Sequence, residues 1–181
     1  MDVNNKPLAT LIHISDLHFC DKFTNVETRF KKLLAKLPFL RGTFAHSYQA
    51  TRALSIRINQ ILKDRKDTGV PTGVVFTGDL TRGGFLKELQ IGFNFLREAY
   101  LVGAGEPVGL KLGKDIQKID FNSSPRLFYV PGNHDIWQRK DPQVFNTFPK
   151  LFPVPYPKEW ILRTNSRPIH LYGLNSTYTN P

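Results

Sequence analysis

Three short polar motifs in this chain each follow an apolar run of the kind that forms a buried β-strand. In chain order, the runs and their motifs are 11–15 before Asp16-Leu17-His18, 74–77 before Gly78-Asp79, and 127–131 before Gly132-Asn133-His134-Asp135. Parallel sheets bind ligands at the carboxyl ends of their strands. We therefore predict an α/β fold in which the three motifs meet in one crevice.

The side chains that would meet in this crevice are oxygen and nitrogen donors. They are Asp16, His18, Asp79, Asn133 and His134. Donors of this kind suit two divalent metal ions, which activate a water molecule for attack on a phosphate. An Asp or Asn after a strand usually serves only turn chemistry. Each motif is therefore weak alone, and the interpretation depends on the three together.

Asp-x-His, Gly-Asp and Gly-Asn-His-Asp, in this order, resemble the calcineurin-like metallophosphoesterase superfamily, and the resemblance extends from about Leu8 to Ser176. The pattern of that family continues with another histidine and a Gly-His-x-His motif, and this chain contains neither. The resemblance therefore covers the first part of the family domain. We expect residues 1–181 to form a single metallophosphoesterase-like domain that is incomplete at its C-terminus.

The resemblance implies a role for each metal ligand. Asp16 and His18 would bind a first ion. Asp79 would serve both ions, and Asn133 would give its amide oxygen to the second. The implied cofactor is a pair of divalent ions, for which manganese, iron, zinc and cobalt all stay open. Without the histidines of the later motif the second ion would have few ligands, so we expect it to bind poorly.

The resemblance also implies two catalytic residues. His134 matches a family histidine that contacts the substrate phosphate and helps to stabilise or protonate the leaving oxygen. Asp135 would hold an imidazole in the correct tautomer, as carboxylates do in other sites.

Other polar residues near the predicted strands are not interpreted as ligands. His13 lies inside the first strand and His170 at the start of the last, and both are expected to be structural. His46 precedes a helix and would cap it or lie in solvent. Asn175 and Ser176 follow the last strand, so they would lie nearer the crevice and shape it.

Hydrophobic periodicity predicts strands and helices in alternation. The helices are predicted at 47–69 and 85–102, and the strands at 10–15, 73–77, 126–130 and 168–174. The insertion 21–44 would contain a short amphipathic helix, and the proline-rich stretch 142–157 is interpreted as a loop. The resemblance implies a layered β-sandwich with flanking helices. Only one sheet is accounted for, and the C-terminal part of the second sheet is expected to be missing.

The resemblance implies a phosphoric ester hydrolase that attacks phosphate mono- or diesters with a hydroxide activated by two metal ions. Protein Ser/Thr phosphatases of the superfamily carry an additional aspartate where this chain has Thr81. The chain is therefore more similar to small bacterial-type phosphohydrolases, which include cyclic-nucleotide phosphodiesterases. The alternative is a truncated, non-catalytic fragment or remnant that binds only metal or phosphate. Oligomeric state stays open.

Composition bears on partners and location. The net charge of +10 favours polyanionic partners, which makes nucleic-acid binding a third hypothesis. No apolar run approaches the roughly 18 residues that span a membrane, and the N-terminus lacks a signal-peptide pattern. Cys20 is the only cysteine, so no intrachain disulfide can form. We predict a cytoplasmic protein with a phosphoester substrate.

Overall fold

The computed structural model describes residues 7–20, 48–97, 108–112, 127–138, 140–151 and 156–177. Five strands, three α-helices and one short 3₁₀-helix occur in this part of the chain. In chain order they are β1 (Thr10–Ile14), α1 (Tyr48–Thr68), β2 (Thr72–Phe76), α2 (Leu86–Arg97), β3 (Leu127–Tyr129), the 3₁₀-helix (His134–Ile136), α3 (Pro142–Leu151), β4 (Lys158–Leu162) and β5 (Ile169–Gly173).

The first three strands form a parallel sheet in the order β1-β2-β3. Ile14, Phe76 and Tyr129 are neighbours across this sheet, one on each strand. The strands therefore end at nearly the same level, and the segments that follow them leave the sheet side by side. This alignment confirms the prediction that the three motifs follow strands of one parallel sheet.

Helices α1 and α2 pack against the sheet through the apolar faces that the hydrophobic periodicity predicts. Ile58 of α1 is buried, and Leu89, Phe93 and Leu96 form the buried stripe of α2. This core also contains Tyr129 of β3, whose ring meets that of Phe93 edge to face. Burial of one face per helix removes apolar area from water and fixes both helices on the sheet.

A second sheet is formed by β4 and β5, which pair antiparallel. Trp160 and Leu162 of β4 are buried and pack against Phe128 of β3, so this sheet is attached through its own apolar cluster. Only β5 was predicted. The sequence accounted for one sheet, whereas residues 158–173 also form two strands of a second sheet.

The stretch 142–157 was wrongly interpreted as a loop, since helix α3 occupies Pro142–Leu151. Proline is favoured in the first turn of a helix, where its missing N–H has no partner to lose. Asp141 precedes it, and the Asp141 carboxylate accepts a hydrogen bond from the Gln143 backbone N–H at 2.8 Å. This contact is typical of a helix N-cap.

Some predictions fall on residues outside the described ranges. These are the insertion 21–44, His46, the first residue of the first predicted helix, Ser47, and the end of the second predicted helix at 98–102. Within the described part of the chain, no helix combines the length and the apolar character needed to cross a bilayer.

Candidate metal centre

The segments after β1 and β2 continue to pair beyond the sheet. The Asp16 N–H donates to the Gly78 carbonyl at 3.1 Å, and the His18 N–H donates to the Asp79 carbonyl at 2.9 Å. Phe19 then bridges to Thr81 in parallel fashion. Main-chain hydrogen bonds therefore hold the two motifs side by side. The distance between the side chains of the two motifs is fixed as a result.

Alternation along the first motif decides which side chains face the crevice. Leu17 and Phe19 are buried in the core, while Asp16 is exposed and His18 half-buried. Asp16 and His18 both have positive φ angles, of 56° and 47°, and Asp79 has 56°. A positive φ is uncommon for residues other than glycine and is often retained at functional sites.

These three residues bring their donor atoms together, as predicted. One donor atom each from Asp16, His18 and Asp79 lies within 4.8 Å of the other two. His18 Nε2 is 3.7 Å from Asp16 Oδ1, which is too long for a hydrogen bond and leaves both atoms available to a shared ligand.

Close contact between two glycines sets the position of Asp79. A Cβ on Gly132 would lie 2.1 Å from Asp79 Oδ1, and one on Gly78, where φ is 106°, would lie 2.8 Å from the Gly132 backbone. Only glycine permits backbones to approach this closely. The third motif can therefore pack directly on the second, and the His134 N–H donates to Asp79 Oδ1 at 3.1 Å.

Within the described ranges the Asp135 carboxylate makes no hydrogen bond to an imidazole, and its partners there are main-chain N–H groups and one hydroxyl. It is fully buried and accepts hydrogen bonds from the N–H groups of Leu80, Thr81 and Gly132 at 2.7–3.2 Å, and from the Thr81 hydroxyl. Burial raises the pKa of this carboxyl above its ordinary value, while the donated hydrogen bonds oppose the rise. Asp135 joins the second motif to the third.

His134 is oriented by a main-chain carbonyl instead. Its Nδ1 lies 2.7 Å from the Arg82 carbonyl, which can only accept, so Nδ1 carries a proton and Nε2 is the atom left for chemistry. The His134 ring meets the His18 ring edge-on, with ring centroids 4.8 Å apart, and lies against the Trp137 ring at a tilt of 36°, with centroids 3.8 Å apart. Trp137 was missed by the sequence analysis. It lies three residues after His134, and positions i and i+3 of a 3₁₀-helix overlie each other.

Asn133 lies beside the cluster. It lines an open pocket of about 470 Å³ together with Asp16 and Asp79. It also occupies the N-cap position of the 3₁₀-helix, yet its side chain makes no capping hydrogen bond there. An asparagine after a strand ordinarily uses its side chain to cap the following turn. The Asn133 side chain does not make that capping hydrogen bond.

The same pocket receives residues from β5 and the segment after it. Ser176 lines it, as expected, whereas the Asn175 amide oxygen accepts hydrogen bonds from Thr177. Tyr172 and Leu174 also line the pocket, and no pattern around the three motifs indicated them. Their position depends on how the second sheet packs on the first, which a local sequence pattern does not report.

The remaining histidines in the described ranges lie apart from the cluster. His13 is exposed on β1, with Nε2 2.7 Å from the Thr77 hydroxyl. His170 Nδ1 lies 2.6 Å from Glu159 Oε1 across the second sheet. Both positions agree with the structural roles expected for them.

The donor set fits a divalent cation. Two carboxylates that approach this closely repel each other unless positive charge lies between them. Carboxylate oxygens with an imidazole nitrogen are ligands that manganese, iron, zinc and cobalt accept. Asp16, His18 and Asp79 could therefore hold one ion, with Asn133 at the edge of the same pocket.

Comparison with known proteins agrees with this geometry. The family model described as calcineurin-like phosphoesterase matches residues 9–176, which include all three motifs and both sheets. Searches of curated proteins and of solved structures each found no match. The family match extends over nearly the whole chain. The chain belongs to the calcineurin-like phosphoesterase family.

Proposed function

We propose that this chain hydrolyses phosphate mono- or diesters with the help of two divalent metal ions. The observation that supports this most directly is the convergence of Asp16, His18 and Asp79, whose donor atoms lie within 4.8 Å of one another. Ions bound there would neutralise the phosphate oxygens and lower the pKa of a coordinated water.

In this proposal the first ion is held by Asp16, His18 and Asp79, and the second by Asp79 and Asn133. Asp79 is suited to a shared position because it contacts both other motifs. Its carbonyl accepts from the His18 N–H and its carboxylate accepts from the His134 N–H. A residue held at its main chain and at one carboxylate oxygen keeps the remaining lone pairs of that carboxylate in a constant direction, as ion binding requires.

His134 would act on the ester oxygen through Nε2. The Arg82 carbonyl holds the proton on Nδ1, so Nε2 donates only when the ring is protonated and accepts when it is neutral. The Trp137 ring also lies against the imidazole, at a tilt of 36°. A protonated His134 can therefore donate a hydrogen bond to the phosphate and release a proton to the departing alkoxide.

The test combines manganese calorimetry with hydrolysis of p-nitrophenyl phosphate and bis(p-nitrophenyl) phosphate. We expect Asp79→Asn to abolish manganese binding and turnover together. We expect His134→Ala to lower kcat roughly 100-fold or more while manganese still binds. His170→Ala is the matched control, since that imidazole lies on the second sheet. It should leave manganese binding and the hydrolysis of p-nitrophenyl phosphate, which has no second ester group, unchanged.

A specific result would support the non-catalytic alternative. If the wild-type chain binds manganese through Asp79 but hydrolyses neither ester above the Asp79→Asn background, the proposal of an enzyme is wrong. The chain would then be a metal-binding or phosphate-binding protein.

A further inference from the structure

Two large apolar side chains in the pocket have no part in holding a metal ion. Tyr172 is 67% exposed and Leu174 71% exposed, the highest values among the large hydrophobic residues in the described ranges. Both line the pocket that Asp16, Asp79 and Asn133 also line. Scattered exposed hydrophobics need no explanation. These two, however, are two positions apart in the chain and line the same pocket as three of the proposed ligands. We call them the Tyr172–Leu174 wall.

The Tyr172 ring is held in place from the opposite strand. Tyr172 pairs with Glu159 in the β4–β5 register, and its hydroxyl hydrogen-bonds to the Glu159 carboxylate. Glu159 is itself 2.6 Å from His170 Nδ1. Because the hydroxyl is engaged, the part of Tyr172 left to a ligand is the flat apolar ring.

His134 does not line this pocket, although it lies beside the same metal cluster. In the proposed reaction the departing oxygen faces His134. The attacking hydroxide approaches from the side opposite the departing oxygen. A second ester group therefore projects sideways from phosphorus, toward the open pocket and its Tyr172–Leu174 wall. A substituent that stays on phosphorus after hydrolysis exists only in a diester.

We infer that the Tyr172–Leu174 wall binds the retained ester group of a phosphodiester, and that it favours a flat, apolar group. This inference rests on the proposed function, which it narrows to diesters of a stated chemistry. Glu159 is a positioning residue in this arrangement, because it acts through Tyr172.

The kinetic test compares two esters that release the same p-nitrophenolate, phenyl p-nitrophenyl phosphate and methyl p-nitrophenyl phosphate. We expect wild type to favour the phenyl ester in kcat/KM. Tyr172→Ala should reduce that preference by roughly five- to tenfold, the size of one aromatic contact, mostly through KM. Tyr172→Phe should keep most of it, and Glu159→Gln should lower it partly.

Ile161→Ala is the matched control, because Ile161 is exposed on the same sheet but does not line the pocket. It should leave the preference unchanged. If Tyr172→Ala also leaves it unchanged, or if Ile161→Ala lowers it equally, the inference is wrong.

A binding measurement separates this inference from the proposed function. Calorimetry with diphenyl phosphate and dimethyl phosphate, in the presence of manganese, should show tighter binding of the diphenyl ester in wild type and loss of that difference in Tyr172→Ala. Tighter binding of diphenyl phosphate without any hydrolysis would support the inference about the Tyr172–Leu174 wall and contradict the proposal that the chain is an enzyme. Hydrolysis with equal binding of the two esters, or no binding of diphenyl phosphate, would overturn the wall.

Discussion

The parallel sheet and the β4–β5 sheet border the same pocket but hold their residues there by different means. At the ends of β1, β2 and β3 the main chain does the positioning. Three motifs are tied by N–H to carbonyl bonds, by the contact of Gly78 with Gly132 and by the buried Asp135 carboxylate. Very little of this positioning depends on a side chain that could move.

In the β4–β5 sheet, positioning depends on exposed side chains. Tyr172 is held by Glu159, and Glu159 by His170, all on the solvent side of two strands. The β4–β5 sheet is attached to the parallel sheet through Trp160, whose ring meets the ring of Phe128 on β3 edge to face. Such side-chain contacts tolerate substitution better than the backbone-to-backbone contacts of the parallel sheet do.

This difference indicates a division of tasks. A metal site loses affinity when its ligands move by a fraction of an ångström, so rigid backbone contacts suit it. The Tyr172–Leu174 wall recognises the shape of a substituent. Its side chains can therefore be substituted without loss of the hydrolysis reaction itself. Substitutions at the parallel sheet should therefore impair metal binding, whereas those in the β4–β5 sheet should change selectivity or local ionisation.

Gly132→Ala should have the largest effect. The added Cβ would lie 2.3 Å from the Asp79 backbone nitrogen and closer still to its carboxylate, so one of the two segments must move. We expect manganese affinity to fall about 100-fold, equal to about 2.8 kcal/mol, and the melting temperature to fall as well. Calorimetric titration and thermal unfolding measure the two effects.

The matched control is Gly69→Ala. Gly69 also has a positive φ, of 68°, but nothing lies within 4 Å of its Cβ position. It should lose roughly 1 kcal/mol of stability through backbone strain alone and bind manganese normally. Wild-type manganese affinity in Gly132→Ala would show that the glycine contact does not position Asp79.

Asp135→Asn should have the next largest effect. The amide nitrogen would replace one carboxylate oxygen among donors from Leu80, Thr81 and Gly132, so at least one buried N–H would face another donor. We expect the free energy of unfolding to fall by about 2 kcal/mol and manganese affinity to fall several-fold. Denaturant unfolding and calorimetry measure these changes.

Asp141→Asn provides the same chemical change at an exposed helix N-cap, where asparagine and aspartate are about equally favourable. It should leave stability and manganese binding nearly unchanged. If Asp135→Asn left stability and manganese binding as little changed as Asp141→Asn does, the buried carboxylate would not be the group that joins the second motif to the third.

The residues at the metal centre could be predicted because their signal is local. Asp16, His18 and Asp79 follow apolar runs, and parallel strands leave their carboxyl ends at one edge. The main helices were predictable for the same reason, since their buried faces recur at helical spacing. A local pattern and a simple topological rule were enough to bring these residues together.

The remaining features depend on contacts between distant segments. Asp135 was predicted to hold an imidazole, as carboxylates do in other sites. Its carboxylate instead accepts hydrogen bonds from nearby Gly132 and from Leu80 and Thr81, which are 55 and 54 residues away in the chain. β4 was missed because the prolines before it favour a loop. Tyr172 joined the site only through the way the second sheet packs on the first.

The smallest expected effect is a shift in the ionisation of Glu159. Hydrogen bonds from His170 and then from Tyr172 lower the pKa of this carboxyl below its ordinary value. A carboxyl with a lowered folded pKa contributes stability above its unfolded pKa and loses it as pH falls through the folded pKa. Carbon-13 NMR of the Glu159 carboxyl should therefore give a midpoint below that of an ordinary glutamate.

Two variants rank the contributions to this midpoint. His170→Asn removes the larger cause and should raise the midpoint most, while Tyr172→Phe removes the smaller one and should raise it less. Neither variant should alter manganese affinity, because Glu159 and His170 do not line the pocket and Tyr172 lies on its apolar side. A change in manganese affinity in both would mean that the β4–β5 sheet also positions the ligands, and the division between the two sheets would fail.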